Sequence, residues 1–403
     1  MNEAPSARWL VLSNVVAMNF LVTGMAWTYV VVLVAPILQD LGLGLRDWGT
    51  LWSGLSMGAL LGALPAGALG DRFGVRRVVA AGALAMAATL GLRAVGSGFA
   101  TVLAAMVLYG VTLSVVSANL PKALGTWFPP AQLGFANGIA LGGNGGGQGL
   151  AAFAAPLAIA HVGGWRGLTS ALAIAVAALA LIWLLTVRDR AGAHAASDSG
   201  GILAGLVAVL RIRAVWLVAG SYLCFLAGYL GVVSYLPTYL VSVRGLAPAE
   251  AGGMLTIVLA AYVVGSLILP GLSDRLGLRR AVYVPGILVA GAMVFASSEL
   301  VGLPLVLAMA VWGLAAGAIA LVFAVPLELP EIGPALAGSA IGATLLAGFL
   351  GGFLSPMIGL AIAERHPLRA FLFWAGCYLA SALLFFLLPE TGPGRRARAV
   401  TPR

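Results

Sequence analysis

Three amide side chains stand out in a chain that is otherwise poor in polar groups: Asn137, Asn144 and Gln148, spaced i, i+7 and i+11. They lie in a stretch that places seven glycines within twelve residues, at 138, 142, 143, 145, 146, 147 and 149. On an α-helix this spacing puts the three amides on one face. Amides donate and accept hydrogen bonds without carrying charge, so they can hold a small solute but cannot serve as an acid or base. An amide facing hydrocarbon is costly, so the face must look into a cavity or onto a partner helix. Asn19, Thr23 and Trp27 follow one another at i, i+4 and i+8, and Tyr222 and Tyr229 share a face at i, i+7. Tyr109, Tyr262 and Trp312 lie in three further apolar runs. Together these residues make a polar and aromatic wall suited to binding. Each aromatic is equally suited to packing or to an interfacial belt.

Reactive constellations are missing. His161, His194 and His366 are scattered, and Cys224 and Cys377 lie in apolar runs without a partner at ligand spacing. Neither a metal, a cofactor nor a disulfide is expected. The sequence holds no Ser/His/Asp set, no carboxylate pair within one apolar run and no phosphate-binding loop, so enzymatic activity and ATP as energy source are not expected. Of the ionisable residues near the middle of apolar runs, Arg93 is the clearest, and it is expected to snorkel towards the non-cytoplasmic interface. Lys122 either meets an anionic solute at the cytoplasmic end of its span or marks topology. Asp47 and Glu250 open two spans and complement the helix dipole. Glu328 and Glu331 are expected to be solvated.

The elements that must position these residues follow from composition. Of 403 residues, 61% are hydrophobic and 9% charged, with a mean hydropathy of +1.05. A soluble surface needs several times that charge. Apolar runs long enough to cross a bilayer occur at roughly 9–38, 48–69, 78–97, 100–125, 132–160, 167–187, 214–243, 250–272, 281–299, 301–326, 335–363 and 368–388. The sequence therefore predicts an all-α membrane protein with twelve transmembrane helices; the first run reads as a span, not a cleaved signal. With both termini cytoplasmic, sixteen of the 22 Lys and Arg residues fall on the cytoplasmic side. The formal net charge of +9 is thus a topology signal and not a nucleic-acid surface. Residues 188–213 read as a cytoplasmic linker between a bundle at 1–187 and a second at 214–403.

The two bundles repeat one another. Gly67-Ala-Leu-Gly-Asp71-Arg72-Phe-Gly74-Val-Arg76-Arg77 recurs as Pro270-Gly-Leu-Ser-Asp274-Arg275-Leu-Gly277-Leu-Arg279-Arg280, 203 residues later. Pro36 matches Pro237, Asp47 matches Glu250, and Pro156 matches Pro356. Parallel repeats place a solute path between halves, near the midplane. Within the loop, Gly67 and Gly74 allow close approach and a tight turn, Asp71 can cap or pair, and Arg76 and Arg77 meet headgroups. Gly67, Asp71, Arg72, Gly74 and Arg76, with Asp274, Arg275 and Arg279, are the candidate gating residues.

These loops resemble the signature between spans two and three, and its counterpart between spans eight and nine, of the major facilitator superfamily. The resemblance covers the whole chain and implies two six-helix bundles related as parallel repeats, alternating access, and cavity-facing spans one, four, seven and ten. The stretch from Phe128-Pro-Pro to Gly149, with Gly143-Asn144-Gly-Gly-Gly147, resembles nitrate/nitrite porters and cyanate-type transporters. Nitrate porters carry one clamping arginine in each of spans two and eight, where this chain has Ala63 and Leu269. Pro156 with Gly142, and Pro356 with Gly342 and Gly351, partly resemble the antiporter signature of drug exporters, from which Ala151 and Ala155 depart.

The expectation is a secondary active or facilitative transporter of a small solute, such as a monocarboxylate or cyanate-like monoanion. A proton or exchanged anion is the candidate coupling ion, and the inner (cytoplasmic) membrane is the expected location. One chain supplies both halves, so a monomer is expected to suffice. Efflux of a hydrophobic compound is the alternative, and a receptor that moves no solute a more distant one.

Overall fold

Hydrocarbon offers a backbone no water to bond, so each apolar run must satisfy its own peptide groups as a helix. The computed structural model describes residues 6–188, 207–329 and 331–392, and all regular structure among them is helical. The expected linker falls largely on 189–206, and the basic tail begins at 393; both lie outside the described residues. Twelve long helices follow in order. They are α1 (6–41), α2 (Leu45–Phe73), α3 (Val75–Val95), α4 (Phe99–Trp127), α5 (Pro130–Ala158) and α6 (Gly164–Thr186), then α7 (Arg213–Ser242), α8 (Pro248–Leu276), α9 (Arg280–Ala296), α10 (Gly302–Glu328), α11 (Gly333–Ala363) and α12 (Pro367–Phe386). Among the described residues nine are long and apolar enough by themselves to cross a membrane, and α2, bent by 49° ahead of Pro65, makes ten.

Several helices are irregular. α1 widens to a π-helix over Asn19–Met25 and ends on Gly42 at φ +64°. α10 tightens to a 3-10 helix over Gly317–Phe323. The acidic residues that open α2 and α8 act as caps: the Asp47 carboxylate accepts from Gly44 N at 2.9 Å, and that of Glu250 from Ala247 N at 3.1 Å.

Two compact units emerge. One comprises 1–197 with Pro237–Thr256, and the other 198–236 with 257–403. In the first unit, α2 and α4 cross through small residues. A Cβ added at Gly58 would strike the Val107 carbonyl, and one at Gly110 the Leu55 carbonyl. Gly62 faces Val111 in the same way, and Ser114 Oγ donates to Ala59 O at 2.8 Å. In the second unit α8 and α10 repeat the device, with Gly265 against Leu314 O and Gly313 against Val258 O. Gly62 and Gly265, like Gly110 and Gly313, are 203 residues apart, which is the offset of the loop repeat. Lipid supplies no hydrophobic drive between helices, so close backbone approach and dispersion hold them. The start of α8 belongs to the first unit, where Gly252 meets Ala152 O and Thr256 Oγ1 donates to Gly149 O at 3.0 Å.

Between α2 and α3 the chain turns at Gly74, with φ +87° and ψ 141°. Side-chain-bearing residues pay about 1–3 kcal/mol in such conformations. Gly74→Ala is expected to lose about that much stability, read as a fall in Tm, whereas substitution at the open Gly138 position should not.

Candidate functional site

The first unit holds a polar cleft of about 220 Å³ between α1, α4 and α5, lined by Asn19, Thr23, Ser117, Pro121, Asn137 and Asn144 among others. Its geometry begins with the π-helix. Asn19 and Thr23 stand one turn apart on it: Thr23 Oγ1 donates to Asn19 O at 2.8 Å and lies 3.2 Å from Asn19 Oδ1. Asn144 Nδ2 reaches across from α5 to Thr23 Oγ1 at 2.6 Å, and Gln148 Nε2 donates to Asn144 Oδ1 at 2.8 Å. Asn137 Nδ2 donates to Leu133 O at 3.0 Å and Asn19 Nδ2 to Val15 O at 3.1 Å. A primary amide has two N–H groups, and these bonds use one in each residue. The second N–H of Asn19, Asn137 and Asn144 has no acceptor among the described residues.

The glycines of α5 explain how it comes so near. Gly147 lies against the Phe20 backbone, Gly143 against Val16 O, and Gly24 of α1 against Asn144 O. Gly138 and Gly142 face open space. Close packing onto the π-helix and open space thus divide one glycine-rich stretch between them.

A second, larger cleft of about 920 Å³ lies between α1, α5 and α6, lined by Trp9, Leu12, Phe20, Ile139, Leu179 and Ile182 among others. Its walls are almost wholly apolar, which suits acyl chains, and it contains none of the amides. The smaller polar cleft is the better candidate site, because only there do hydrogen-bonding groups converge.

The other expected wall residues are placed as follows. Trp27 packs on Trp52, with ring centroids 5.2 Å apart. Tyr109 is fully buried behind the cleft, and its hydroxyl donates to Val22 O in the π-helix at 3.1 Å. In the second unit Tyr229 lies 5.4 Å from Tyr262 and 6.2 Å from Trp312 between ring centroids. The buried Trp312 donates from Nε1 to Tyr378 Oη at 2.9 Å. Tyr222 is edge-on to Phe323 at 5.1 Å. Sequence reasoning missed Tyr378, Ser117 and Pro121, since nothing in their spacing separates them from ordinary span residues.

The two repeated loops are built differently. In the first unit Asp71 pairs with Lys122 of α4 at 2.5 Å, and Lys122 Nζ also donates to Gly67 O at 2.8 Å. Arg72 is exposed, its guanidinium 5.2 Å from the Phe73 ring centroid. Arg76 is held by the end of a neighbouring helix. Its Nε and Nη2 both donate to Leu184 O, capping the C-terminus of α6, while Trp183 Nε1 donates to Arg76 O. Unpaired carbonyls at a helix end attract a guanidinium.

In the second unit Arg279 bridges Asp274 at 2.5 Å and Glu328 at 2.6 Å, and Glu390 accepts from the backbone N of Arg279 and Arg280. The Glu328 carboxylate, hydrogen-bonded to Arg279, holds that guanidinium above its ordinary pKa. Glu328, expected to be solvated, is thus a half-buried ion-pair partner with a side chain 16% exposed. Glu331 and Arg275 are exposed. Arg93, expected to snorkel, is instead 1% exposed, because Tyr29 and Tyr109 hold its guanidinium inside the bundle.

Comparison with known proteins agrees with this architecture. The chain is 27% identical over 263 residues to a probable nitrate/nitrite transporter of Mycobacterium tuberculosis, a match covering 64% of this chain and 65% of that protein. It is 26% identical over 241 residues to a hexuronate transporter of Bacillus subtilis, covering 56% and 55%. The structure of a bacterial homologue of the lysosomal transporter Spinster superposes with a TM-score of 0.76 at 15% identity, over 96% of each chain. Twelve helices in this order, a multi-pass membrane protein, and a sequence-profile match over residues 16–356 lead to one assignment: the chain belongs to the Major Facilitator Superfamily, a family of transporters and not of enzymes.

Proposed function

We propose that this protein carries a small monovalent anion across the inner membrane, with the amide cleft of α1, α4 and α5 as its solute-binding wall. The observation that supports this is the convergence of Asn19, Thr23 and Asn144 around a cleft of about 220 Å³ with no carboxylate in its lining. Clefts for drug-sized ligands run to about 300–1,000 Å³, so this one favours a small solute. Neutral amide donors can replace part of an anion's hydration without the cost of burying a counter-charge, and a multiply charged solute would need more. Relatives described as nitrate/nitrite and hexuronate transporters support an anionic solute. The absence of arginine at Ala63 and Leu269 favours a monocarboxylate or cyanate-like ion over nitrate. Transport proceeds by alternating access between halves 1–187 and 214–403, with Gly67–Arg76 and Asp274–Arg279 as the gating loops. The Lys and Arg distribution supports cytoplasmic termini.

The test is uptake of labelled formate, acetate, cyanate, nitrite and nitrate into proteoliposomes of purified protein, with and without a pH gradient or internal anion. One of these anions is expected to be taken up saturably. Asn144→Ala and Thr23→Val should each lower kcat/KM at least tenfold, corresponding to loss of one strong hydrogen bond, about 1.4 kcal/mol. The imposed gradients identify the coupling ion as a proton or an exchanged anion. Flux of lipophilic compounds without flux of any small anion would overturn the proposal in favour of an exporter.

A further inference from the structure

Arg93 is a buried cation whose hydrogen-bonding edge is unfilled. It sits in the last turn of α3 and is 1% exposed. Nη1 donates to Tyr29 Oη at 3.1 Å. Tyr29 Oη lies 3.0 Å from Thr169 Oγ1, which in turn donates to Trp165 O at 2.7 Å. With Thr169 donating onward, Tyr29 must donate to Thr169, so the relay runs away from the arginine and ends on a neutral carbonyl. It delivers no negative charge. The guanidinium carbon also lies 4.9 Å from the Tyr109 ring centroid and 6.0 Å from that of Tyr29. These ring faces offset part of the charge, yet among the described residues no carboxylate pairs with it. Nε and Nη2, both shut off from solvent, have no acceptor.

Those two atoms form the side-on fork of a guanidinium, the edge that grips oxyanions in bidentate fashion. The same edge is filled elsewhere in this molecule. Arg76 places Nε and Nη2 on Leu184 O, and Arg279 places them on Glu328. A buried, charged fork with no acceptor is strongly unfavourable, and a small anion is what would complete it.

We propose that the Nε/Nη2 edge of Arg93 is a binding site for a small monovalent anion, either an oxyanion gripped by both N–H groups or a halide seated between them. The site is separate from the amide cleft. The Tyr109 ring covers the Arg93 guanidinium, and the Tyr109 hydroxyl holds Val22 O of the π-helix, whose Asn19 and Thr23 line the cleft. An anion on Arg93 thus bears on the cleft wall through Tyr109.

The experiment is a thermal-shift titration of purified full-length protein with sodium nitrate, formate and bromide, against sodium sulfate at equal ionic strength. Asn144→Ala serves as background, so that the cleft does not contribute. That protein is expected to gain several degrees in Tm at a hundredfold excess of nitrate or bromide over Kd. Adding Arg93→Met should abolish the gain, and Arg93→Lys, which keeps the charge but lacks the fork, should raise Kd for nitrate at least tenfold. Stabilisation by nitrate but not bromide identifies an oxyanion as the occupant, and stabilisation by both a general monoanion site. An unchanged Kd in either Arg93 variant, or no stabilisation of the Asn144→Ala protein by any of the three anions, would overturn the proposal. If the methionine variant does not fold, the lysine variant decides. Uptake lost in Asn144→Ala with Arg93-dependent binding intact would support both sites separately, and failure of one leaves the other measurable.

Discussion

Arg279→Met is expected to destabilise the second unit by about 2–3 kcal/mol, somewhat less than the roughly 3–5 kcal/mol for removing one partner of a fully buried ion pair. The guanidinium is 9% exposed and holds Glu328, whose side chain is 16% exposed, through three N–H contacts between 2.6 and 3.2 Å. It also donates to Ser273 Oγ at 3.1 Å. Without it, Glu328 remains as an uncompensated, half-buried carboxylate. Asp274, 60% exposed, returns to water and contributes little to the loss. The check is Tm by tryptophan fluorescence in detergent, with Glu328→Gln added to the Arg279→Met protein. Neutralising the stranded carboxylate should restore most of the lost stability. Additive losses would show that the pair is not the source of the effect. The corresponding loop in the first unit should behave differently. Lys122 and Asp71 are 33% and 25% exposed, so Lys122→Met is expected to cost under about 1 kcal/mol.

Gly110→Leu should be as damaging for another reason. A side chain there would run into the Leu55 carbonyl and the Ala59 and Gly58 backbone, none of which can rotate away as a side chain would. Overpacking of a side chain into a core costs about 1–3 kcal/mol, and here it must separate two helices along a crossing that continues through Gly62 and Ser114. The expected result is a loss of at least about 3 kcal/mol, seen as a large fall in Tm and loss of the monodisperse peak on size exclusion. Gly313→Leu in the second unit should match it, because Gly313 meets Val258 O and Tyr262 N in the same manner. Gly142→Ala on α5, which faces open space, is the control and should change Tm little. A tolerated Gly110→Leu would show that the close α2–α4 crossing is not needed for folding.

The contrast between these glycines shows how far the residues alone could be read. The glycine density of α5 is conspicuous in the sequence, yet only part of it makes tight contacts. The α2 series Gly54, Gly58 and Gly62 is less conspicuous, but a side chain at Gly58 or Gly62 would strike the α4 backbone, while one at Gly54 would meet only movable side chains. The i, i+4 spacing of that series was a signal that could have found it. Asn144 and Thr23, by contrast, were legible as wall residues because an amide and a hydroxyl among apolar neighbours require an interior partner. Their mutual bond at 2.6 Å is made to the π-helix, a local widening that no residue of 19–25 announces.

What the sequence determined by itself is therefore the set of properties that lipid enforces locally. These are the succession of apolar runs, the cationic bias of one side, the caps at Asp47 and Glu250, and the repeat at an offset of 203 residues. Each follows from the composition or spacing of a short segment, because hydrocarbon acts on every span in the same way. What only the tertiary structure decided is which face of each span meets which neighbour. In a membrane a helix is apolar on its lipid side and on most of its packed side alike, so periodicity does not report its rotation. Arg93 turned inward onto two tyrosines, Arg76 onto the end of α6, and Glu328 onto Arg279 because those partners stood within reach once the helices were rotated and packed. A charge near the end of a span can go either to the interface or to a buried partner, and the choice rests on neighbours distant in the chain.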